Sequence, residues 1–162
     1  QAATELVHHI GIAVADLEAS MEFYHSLFGL EPGSIIVRED LAIRGCFVPV
    51  GDTNLELLQG TNPTSMISLH IEESGEGLHH VCFEVDGLQG TLDALDKEGV
   101  ALIDHEPREG LSGMIAFLHP KSTGGVQRSL GDVPSTGALG QWATGARNPP
   151  EISKIPTSRV CH

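Results

Sequence analysis

Two segments of the chain repeat the same order of apolar and polar residues. Residues 7–14 read VHHIGIAV and residues 78–85 read LHHVCFEV. Both segments are rich in β-branched and aromatic residues, which are typical of strands. An acidic turn that can start a helix follows each of them. The sequence therefore predicts a strand and then a helix at two equivalent places in the chain.

The two predicted helices are followed by matching sets of strands. Their apolar residues recur at helical spacing and are Leu17, Met21, Tyr24 and Phe28 in the first helix and Leu88, Leu92 and Leu95 in the second. Gly29 and Gly99 come next, where a left-handed residue commonly ends a helix. The strand-like runs beyond the helices are 34–38, 42–50 and 54–59 in the first half and 100–103, 114–118 and 126–130 in the second.

This repeat predicts an α+β fold of two paired βαβββ modules. Neither module is expected to bury its sheet alone, so pairing the two is the natural solution. The predicted domain spans residues 6–131, with modules at about 6–60 and 77–131 and a linker that holds a short helix or turn at 66–71. Residues 132–162 are dense in Gly, Pro, Ser and Thr and are predicted to form a disordered tail.

Composition narrows the class of protein. The chain has 162 residues, of which 40% are hydrophobic, as in an ordinary globular domain. Its formal net charge is −13 and its 9 Lys and Arg residues are scattered, which argues against nucleic acid or an anionic membrane as a partner. No apolar run approaches the ~20 residues of a membrane span, and no signal peptide is visible. Its 3 widely spaced cysteines fit a reducing compartment, so a cytoplasmic location is predicted.

The strongest candidate chemistry is a pair of histidines at equivalent positions of the two repeats. His9 and His80 lie on matching strands, so pairing of the modules can bring their imidazoles into one cleft, where they could hold a divalent metal. Their neighbours His8 and His79 complicate the assignment, because successive strand residues point to opposite faces. One histidine of each pair is expected to face the cleft, and the pattern alone does not decide which.

The last strand of each module is expected to supply a further ligand. Glu56 lies in the apolar last strand of the first module, where it is either a solvent-facing residue or a ligand. Ser129 stands at the equivalent place in the second module, and its hydroxyl is a poor metal ligand that cannot act as a carboxylate base. The loop HPKSTGG at 119–125 contains Lys121 and backbone N–H groups that could bind a carboxylate or a phosphate.

Taken together, these motifs resemble the methylmalonyl-CoA epimerase family of the vicinal oxygen chelate superfamily. The resemblance extends from about residue 6 to residue 130. The motifs that carry it are HIGIAV at 9–14, GDTNLELL at 51–58, GEGLHH at 75–80 and FLHPKSTGGV at 117–126. It implies a half-open, barrel-like sheet around a metal site.

The family resemblance also implies a site and a reaction. The implied ligands are His9, Glu56 and His80, around one divalent ion of cobalt, manganese, nickel or zinc. The implied reaction interconverts (R)- and (S)-methylmalonyl-CoA by removal and return of the α-proton. Lys121 and Ser122 would hold the free carboxylate of this acyl-CoA substrate. The implied assembly is a homodimer.

The base of that reaction is the point at which the chain departs from the family. The family has a Glu near the end of the last core strand, where this chain has Ser129, and some members have a second Glu on the third strand, where this chain has Gly45. Either Glu56 or a water would then have to act as the base, or a residue of the tail such as Asp132 would have to reach the site, or the protein would be weakly active or inactive.

Three alternatives stay open. A glyoxalase I-like lyase that acts on glutathione hemithioacetals would also use His and Glu ligands. An extradiol-type dioxygenase needs two His and one carboxylate around Fe(II), a set that the same residues could supply. A non-catalytic small-molecule-binding protein on the same fold is favoured by Ser129, since a fold does not fix a function.

Overall fold

The computed structural model describes residues 6–111, 113–125 and 127–132 of the chain. The first module contains a strand, a helix and three further strands, as predicted. Its elements are β1 (Val7–Ala13), α1 (Leu17–Phe28), β2 (Ile36–Arg38), β3 (Ile43–Val50) and β4 (Thr53–Gly60). Helix α2 (Met66–Ser74) follows in the linker, where a short helix or turn is predicted. The predicted tail lies outside the described residues from 133 onwards.

The second module repeats this order with one difference. Its elements are β5 (Gly77–Val85), α3 (Leu88–Lys97), β6 (Arg108–Glu109), β7 (Met114–Leu118) and β8 (Arg128–Asp132). The prediction of a strand at 100–103 is wrong, because the only β-pairing in this segment is an isolated bridge between Leu102 and Leu118. The Asp104 side chain interrupts the pairing, since its carboxylate accepts the backbone N–H of Phe117 at 2.8 Å in place of a strand carbonyl.

The strands form one curled, half-barrel sheet with an internal symmetry. Its strand order is β2-β3-β4-β1-β5-β8-β7-β6. β1 and β5 lie antiparallel at the centre. β1 pairs in parallel with β4, and β5 pairs in parallel with β8. The first and last strands of each module are therefore neighbours, so alternate residues from the middle of these four strands come together on the inner face of the sheet.

Helices α1 and α3 cover the opposite face of the sheet in equivalent ways. The buried cluster at α1 contains Val14, Leu17, Cys46, Val48 and Leu57. The buried cluster at α3 contains Val85, Leu88, Leu92, Ala116, Leu118 and Leu130. Each fully buried Leu contributes about 1.5–3 kcal/mol to the free energy of unfolding. These clusters therefore fix the helices against the sheet.

The ends of the helices follow local signals. Asp16 caps α1 by accepting the backbone N–H of Ala19, and Gly29 ends the helix with a left-handed φ of 66°. Gly99, which follows α3, has a φ of 77°, in agreement with its predicted place after the second helix. Among the described residues, no helix is both long and apolar enough to cross a membrane.

Candidate metal centre

The inner face of the sheet encloses a cavity of about 600 Å³. Among the residues that line it are His9 of β1, Glu56 of β4 and His80 of β5. Their relative exposures are 5%, 5% and 3%. A buried carboxylate is costly unless it is paired and hydrogen-bonded, so Glu56 requires partners inside the protein.

These partners are the two histidines that the repeat places at equivalent positions. His9 Nε2 lies 3.0 Å from His80 Nε2. Glu56 Oε2 lies 3.3 Å from His9 Nε2 and 3.4 Å from His80 Nε2. The register explains the meeting, because Gly11 pairs with Glu56 on one side and with His80 on the other. A Cβ at Gly11 would lie 2.3 Å from the His80 ring, so only glycine leaves room for it.

A divalent metal ion fits this arrangement. Nitrogen and oxygen ligands lie about 2.0–2.2 Å from such an ion, which separates neighbouring ligand atoms by about 2.8–3.6 Å in tetrahedral or octahedral geometry. The three observed separations of 3.0, 3.3 and 3.4 Å all fall in this range. Imidazole and carboxylate ligands suit cobalt, manganese, nickel and zinc, so the ligand set does not choose among these metals.

The neighbouring histidines also face the cavity, which corrects the expectation that one of each pair points away. Two β-bulges interrupt the β1–β5 pairing, one with His8 as the extra residue of β1 and the other with His79 as the extra residue of β5. A bulge re-aims side chains, so all four histidines line the cavity. His8 Nδ1 lies 2.7 Å from His9 Nδ1, and His79 Nδ1 lies 2.9 Å from His80 Nδ1.

Two phenylalanines enclose His9 and His80 in the same symmetric way. Phe47 on β3 packs edge-on against His9 with ring centres 5.8 Å apart. Phe117 on β7 packs edge-on against His80 with ring centres 5.3 Å apart. Each imidazole therefore has an aromatic wall that restricts its rotation.

Ser129 is the symmetry counterpart of Glu56. Ser129 pairs with Cys82 across β8 and β5, as Glu56 pairs with Gly11 across β4 and β1. Ser129 is fully buried, and among the described residues its Oγ is the only buried side-chain nitrogen or oxygen atom without a hydrogen-bond partner. The register thus supports the sequence-based placement of Ser129 where a second carboxylate is expected.

His9 and His80 differ in their electrostatics. Burial by itself would lower the pKa of His9, but hydrogen bonds with Cys82 and Glu56 outweigh it and raise that pKa to about 10. Burial dominates at His80 and lowers its pKa to about 3. Burial also opposes ionisation of Glu56, yet the hydrogen bond with His9 prevails and lowers the pKa of Glu56. At neutral pH a His9 imidazolium therefore faces a Glu56 carboxylate and a neutral His80.

Lys121 and Ser122, the residues predicted to bind the substrate carboxylate, lie in a single 3₁₀ turn after β7. The hydroxyl of Ser122 accepts the backbone N–H of Ala101 at 2.8 Å. The backbone N–H of Lys121 donates to His119 Nδ1 at 3.1 Å. Neither residue is among the described residues that line the cavity. Their role in substrate binding stays a prediction.

The cavity also contains an arginine, Arg108, that the sequence does not mark as a candidate site residue. Its guanidinium lies 4.9 Å from the centre of the Phe117 ring, and its Nε donates to Asp104 at 3.0 Å. Among the described residues that line the cavity, Arg108 is the only Lys or Arg. No local sequence signal marks it, because its position depends on the two-residue pairing of β6 with β7.

Comparison with known proteins identifies relatives over most of the chain. Residues 8–117 match the family model of the Glyoxalase/Bleomycin resistance protein/Dioxygenase superfamily. The uncharacterized protein YqjC of Bacillus subtilis is 37% identical over 119 residues, which cover 73% of this chain and 85% of that protein. The ethylmalonyl-CoA/methylmalonyl-CoA epimerase of Cereibacter sphaeroides is 33% identical over 130 residues, which cover 78% of this chain and 97% of that enzyme.

A solved structure shares the same fold. A variant of the Streptomyces coelicolor methylmalonyl-CoA epimerase in complex with 2-nitronate-propionyl-CoA superposes with a TM-score of 0.76 at 31% identity. The match covers 83% of this chain and 98% of that one. The chain therefore belongs to the Glyoxalase/Bleomycin resistance protein/Dioxygenase superfamily, also called the vicinal oxygen chelate superfamily, and methylmalonyl-CoA epimerases are among its relatives.

Proposed function

We propose that this protein is a metal-dependent isomerase that inverts the α-carbon of methylmalonyl-CoA or of a closely similar acyl-CoA thioester. The observation that carries the proposal is the convergence of His9, Glu56 and His80 within 3.4 Å of one another in a largely apolar cavity. The epimerase relatives supply the substrate class. Homodimer formation and a cytoplasmic location stay predictions.

The reaction needs stabilisation of negative charge and two-sided proton transfer. The α-hydrogen of a malonyl thioester is weakly acidic, because the charge left behind spreads onto the thioester oxygen. A divalent ion held by His9, Glu56 and His80 would supply further stabilisation of that charge. Inversion requires that a proton leaves from one face and returns on the other, so it needs two acid/base groups or one group that reaches both faces.

Glu56 is the candidate base among the residues of this site. Its carboxylate is ionised at neutral pH and can therefore accept a proton, and the lowered pKa makes it a weaker base than an ordinary glutamate. Its Oε2 is directed at the two imidazoles, so we assign removal of the α-proton to Oε1, and the proton that returns on the opposite face would come from water. Ser129 cannot share this role, because an aliphatic hydroxyl is a far weaker base than a carboxylate.

Arg108 is a second candidate for binding the free carboxylate of the substrate, beside Lys121 and Ser122. A guanidinium binds a carboxylate through two parallel hydrogen bonds. Arg108 is placed for this by its contact with Phe117, which in turn packs against His80.

The test is hydrogen–deuterium exchange at the α-carbon of methylmalonyl-CoA, measured with Co²⁺ for the unmodified protein and for Ser129→Glu. General acid–base catalysis contributes about 10²–10⁴-fold, so Ser129→Glu should accelerate exchange by that order. Ser26→Glu adds the same charge on the exposed face of α1 and should leave the rate unchanged.

Exchange by the unmodified protein would show that a working base exists despite Ser129, and exchange in Ser129→Glu alone would show an epimerase scaffold that lacks its base. Absence of exchange in both proteins with Co²⁺ bound would reject this substrate.

In the same assay, Arg108→Gln should raise KM more than it lowers kcat. An unchanged KM would remove Arg108 from the substrate site.

A non-catalytic small-molecule-binding protein is the second candidate, and the buried hydroxyl of Ser129 favours it. Such a protein would bind an acyl-CoA thioester in the presence of Co²⁺ without exchanging the α-hydrogen. Calorimetric titration with methylmalonyl-CoA, run beside the exchange assay, separates the two functions.

A further inference from the structure

Each ligand histidine contacts a second histidine through the other nitrogen of its ring. His9 Nε2 faces His80 and Glu56, whereas its Nδ1 lies 2.7 Å from His8 Nδ1. His80 has the same arrangement, with its Nδ1 2.9 Å from His79 Nδ1. Both distances are those of hydrogen bonds. Two imidazole nitrogens can form such a bond only if one carries a proton and the other offers a lone pair.

The ligand role determines which nitrogen carries the proton. A neutral histidine binds a metal through a ring nitrogen that has a free lone pair, here Nε2, so its proton resides on Nδ1. The Nδ1 atoms of His9 and His80 then donate, and those of His8 and His79 must accept. Accepting at Nδ1 places the proton of each neighbouring ring on its own Nε2. One set of tautomers for the four neutral rings thus satisfies both contacts and leaves both Nε2 lone pairs free for the metal.

The two accepting rings are held in place by the fold. His79 is only 7% exposed and packs edge-on against His70, with ring centres 4.7 Å apart. His8 is half-buried and packs edge-on against Phe47, with ring centres 6.5 Å apart. Both rings reach the cavity because each is the extra residue of a bulge.

We propose that His8 and His79 are positioning residues, each of which accepts the Nδ1 proton of the adjoining ligand histidine and so directs the Nε2 of that histidine at the metal. This inference rests on the metal site of the proposed function and is independent of the isomerase reaction. Partners of this kind are usually carboxylates, backbone carbonyls or waters, and their loss typically costs about 10–100-fold in metal affinity.

The first test is the Zn²⁺ affinity of the full chain, measured by competition with a chelator. His8→Phe and His79→Phe keep a ring and remove the acceptor, so each should weaken Zn²⁺ binding by about 10–100-fold. His8→Asn and His79→Asn keep an acceptor near the place of Nδ1 and should recover most of that loss. His105→Phe, on an exposed loop, is the control and should not change the affinity.

The second test needs no variant and so is independent of any folding defect. Nitrogen-15 chemical shifts of the Zn²⁺-loaded protein should show His8 and His79 protonated at Nε2, and His9 and His80 protonated at Nδ1. Protonation of His8 or His79 at Nδ1 would overturn the proposal, as would full Zn²⁺ affinity in both Phe variants.

The combined results also separate this proposal from the isomerase. Weakened Zn²⁺ binding in the Phe variants, without α-hydrogen exchange by either the unmodified protein or Ser129→Glu, would support the positioning role and reject the isomerase. If the unmodified protein exchanges the α-hydrogen and the Phe variants bind Zn²⁺ normally, the isomerase is supported and the positioning role of His8 and His79 is rejected. An unmodified protein that does not bind Zn²⁺, Co²⁺, Mn²⁺ or Ni²⁺ would reject both.

Discussion

The two modules share a scaffold and differ at the site that they build together. Each has a central strand, a covering helix and a returning strand in the same arrangement. On the inner face, some pairs of equivalent positions are alike, namely His9 with His80, His8 with His79 and Phe47 with Phe117. Two pairs are unlike, namely Glu56 with Ser129 and Gly11 with Cys82.

The difference shows which positions the scaffold constrains. Apolar residues beneath α1 and α3 are repeated, because each module must bury one face of its half of the sheet. The unlike pairs lie on the inner face, where the two modules contribute different residues to one shared site. One carboxylate and one glycine beside the paired histidines are enough to bring three candidate ligands together.

The largest expected effect comes from removing the carboxylate that only the first module supplies. Glu56→Ala deletes one of the three groups proposed to bind the metal. Loss of a partner outside the ligand set typically costs about 10–100-fold in metal affinity, so loss of a ligand should cost more than about 100-fold. Glu84→Ala is the matched control, because Glu84 lines the same cavity without belonging to the three converging groups. Equal Co²⁺ affinities in the two variants would show that the ion binds elsewhere.

The repeated scaffold could be predicted from sequence because its signals are local. Alternation in strands, helical spacing from Leu17 to Phe28 and a glycine at position 29 each act within a few residues, and the structure has β1, α1 and the left-handed Gly29 at those places. The meeting of His9 with His80 could also be predicted, because the repeat shows which strand positions of the two modules are equivalent.

The features that sequence reasoning missed depend on contacts between distant strands. A bulge exists only relative to a partner strand, so the segment that contains His8 cannot by itself show that this residue turns into the cavity. Likewise, the strand expected at 100–103 is interrupted by the bond of Asp104 to Phe117 of β7. Arg108 reaches the cavity through the pairing of β6 with the same strand.

An intermediate effect is expected at the position where the first module has glycine and the second has cysteine. Gly11→Ala places a Cβ 2.3 Å from the His80 ring. Overpacking of this kind costs about 1–3 kcal/mol of the free energy of unfolding, and the displaced His80 should also bind metal more weakly. Denaturant unfolding with and without Zn²⁺ measures both losses.

The same substitution at Gly90 provides the control. Gly90 lies inside α3, and a Cβ there meets no atom within 4 Å. Gly90→Ala should therefore raise the free energy of unfolding by about 0.5–1 kcal/mol and leave Zn²⁺ binding unchanged. A Gly11→Ala protein that is as stable as the unmodified one, with the same Zn²⁺ affinity, would show that the inner face is more adaptable than its packing indicates.

The last expected effect concerns the protons on His9 and His80. The pKa of His9 is raised to about 10, whereas that of His80 is lowered to about 3. At pH 7 only His9 is protonated, and a metal binds only a deprotonated ligand, so binding should release about one proton, from the first module alone. Calorimetric titration with Zn²⁺ in buffers of different ionisation enthalpy counts the released protons.

The sign of the pH dependence follows from the raised pKa of His9. Its contribution to the stability of the metal-free protein is complete below the ordinary value of 6.5 and is lost as pH rises through about 10. Zn²⁺ affinity should change in the opposite direction, increasing about tenfold per pH unit from pH 7 to about 10, because one proton leaves for each ion bound. Binding at pH 7 without proton release would mean that His9 is neutral like His80, and that the two modules are electrostatically alike at the site.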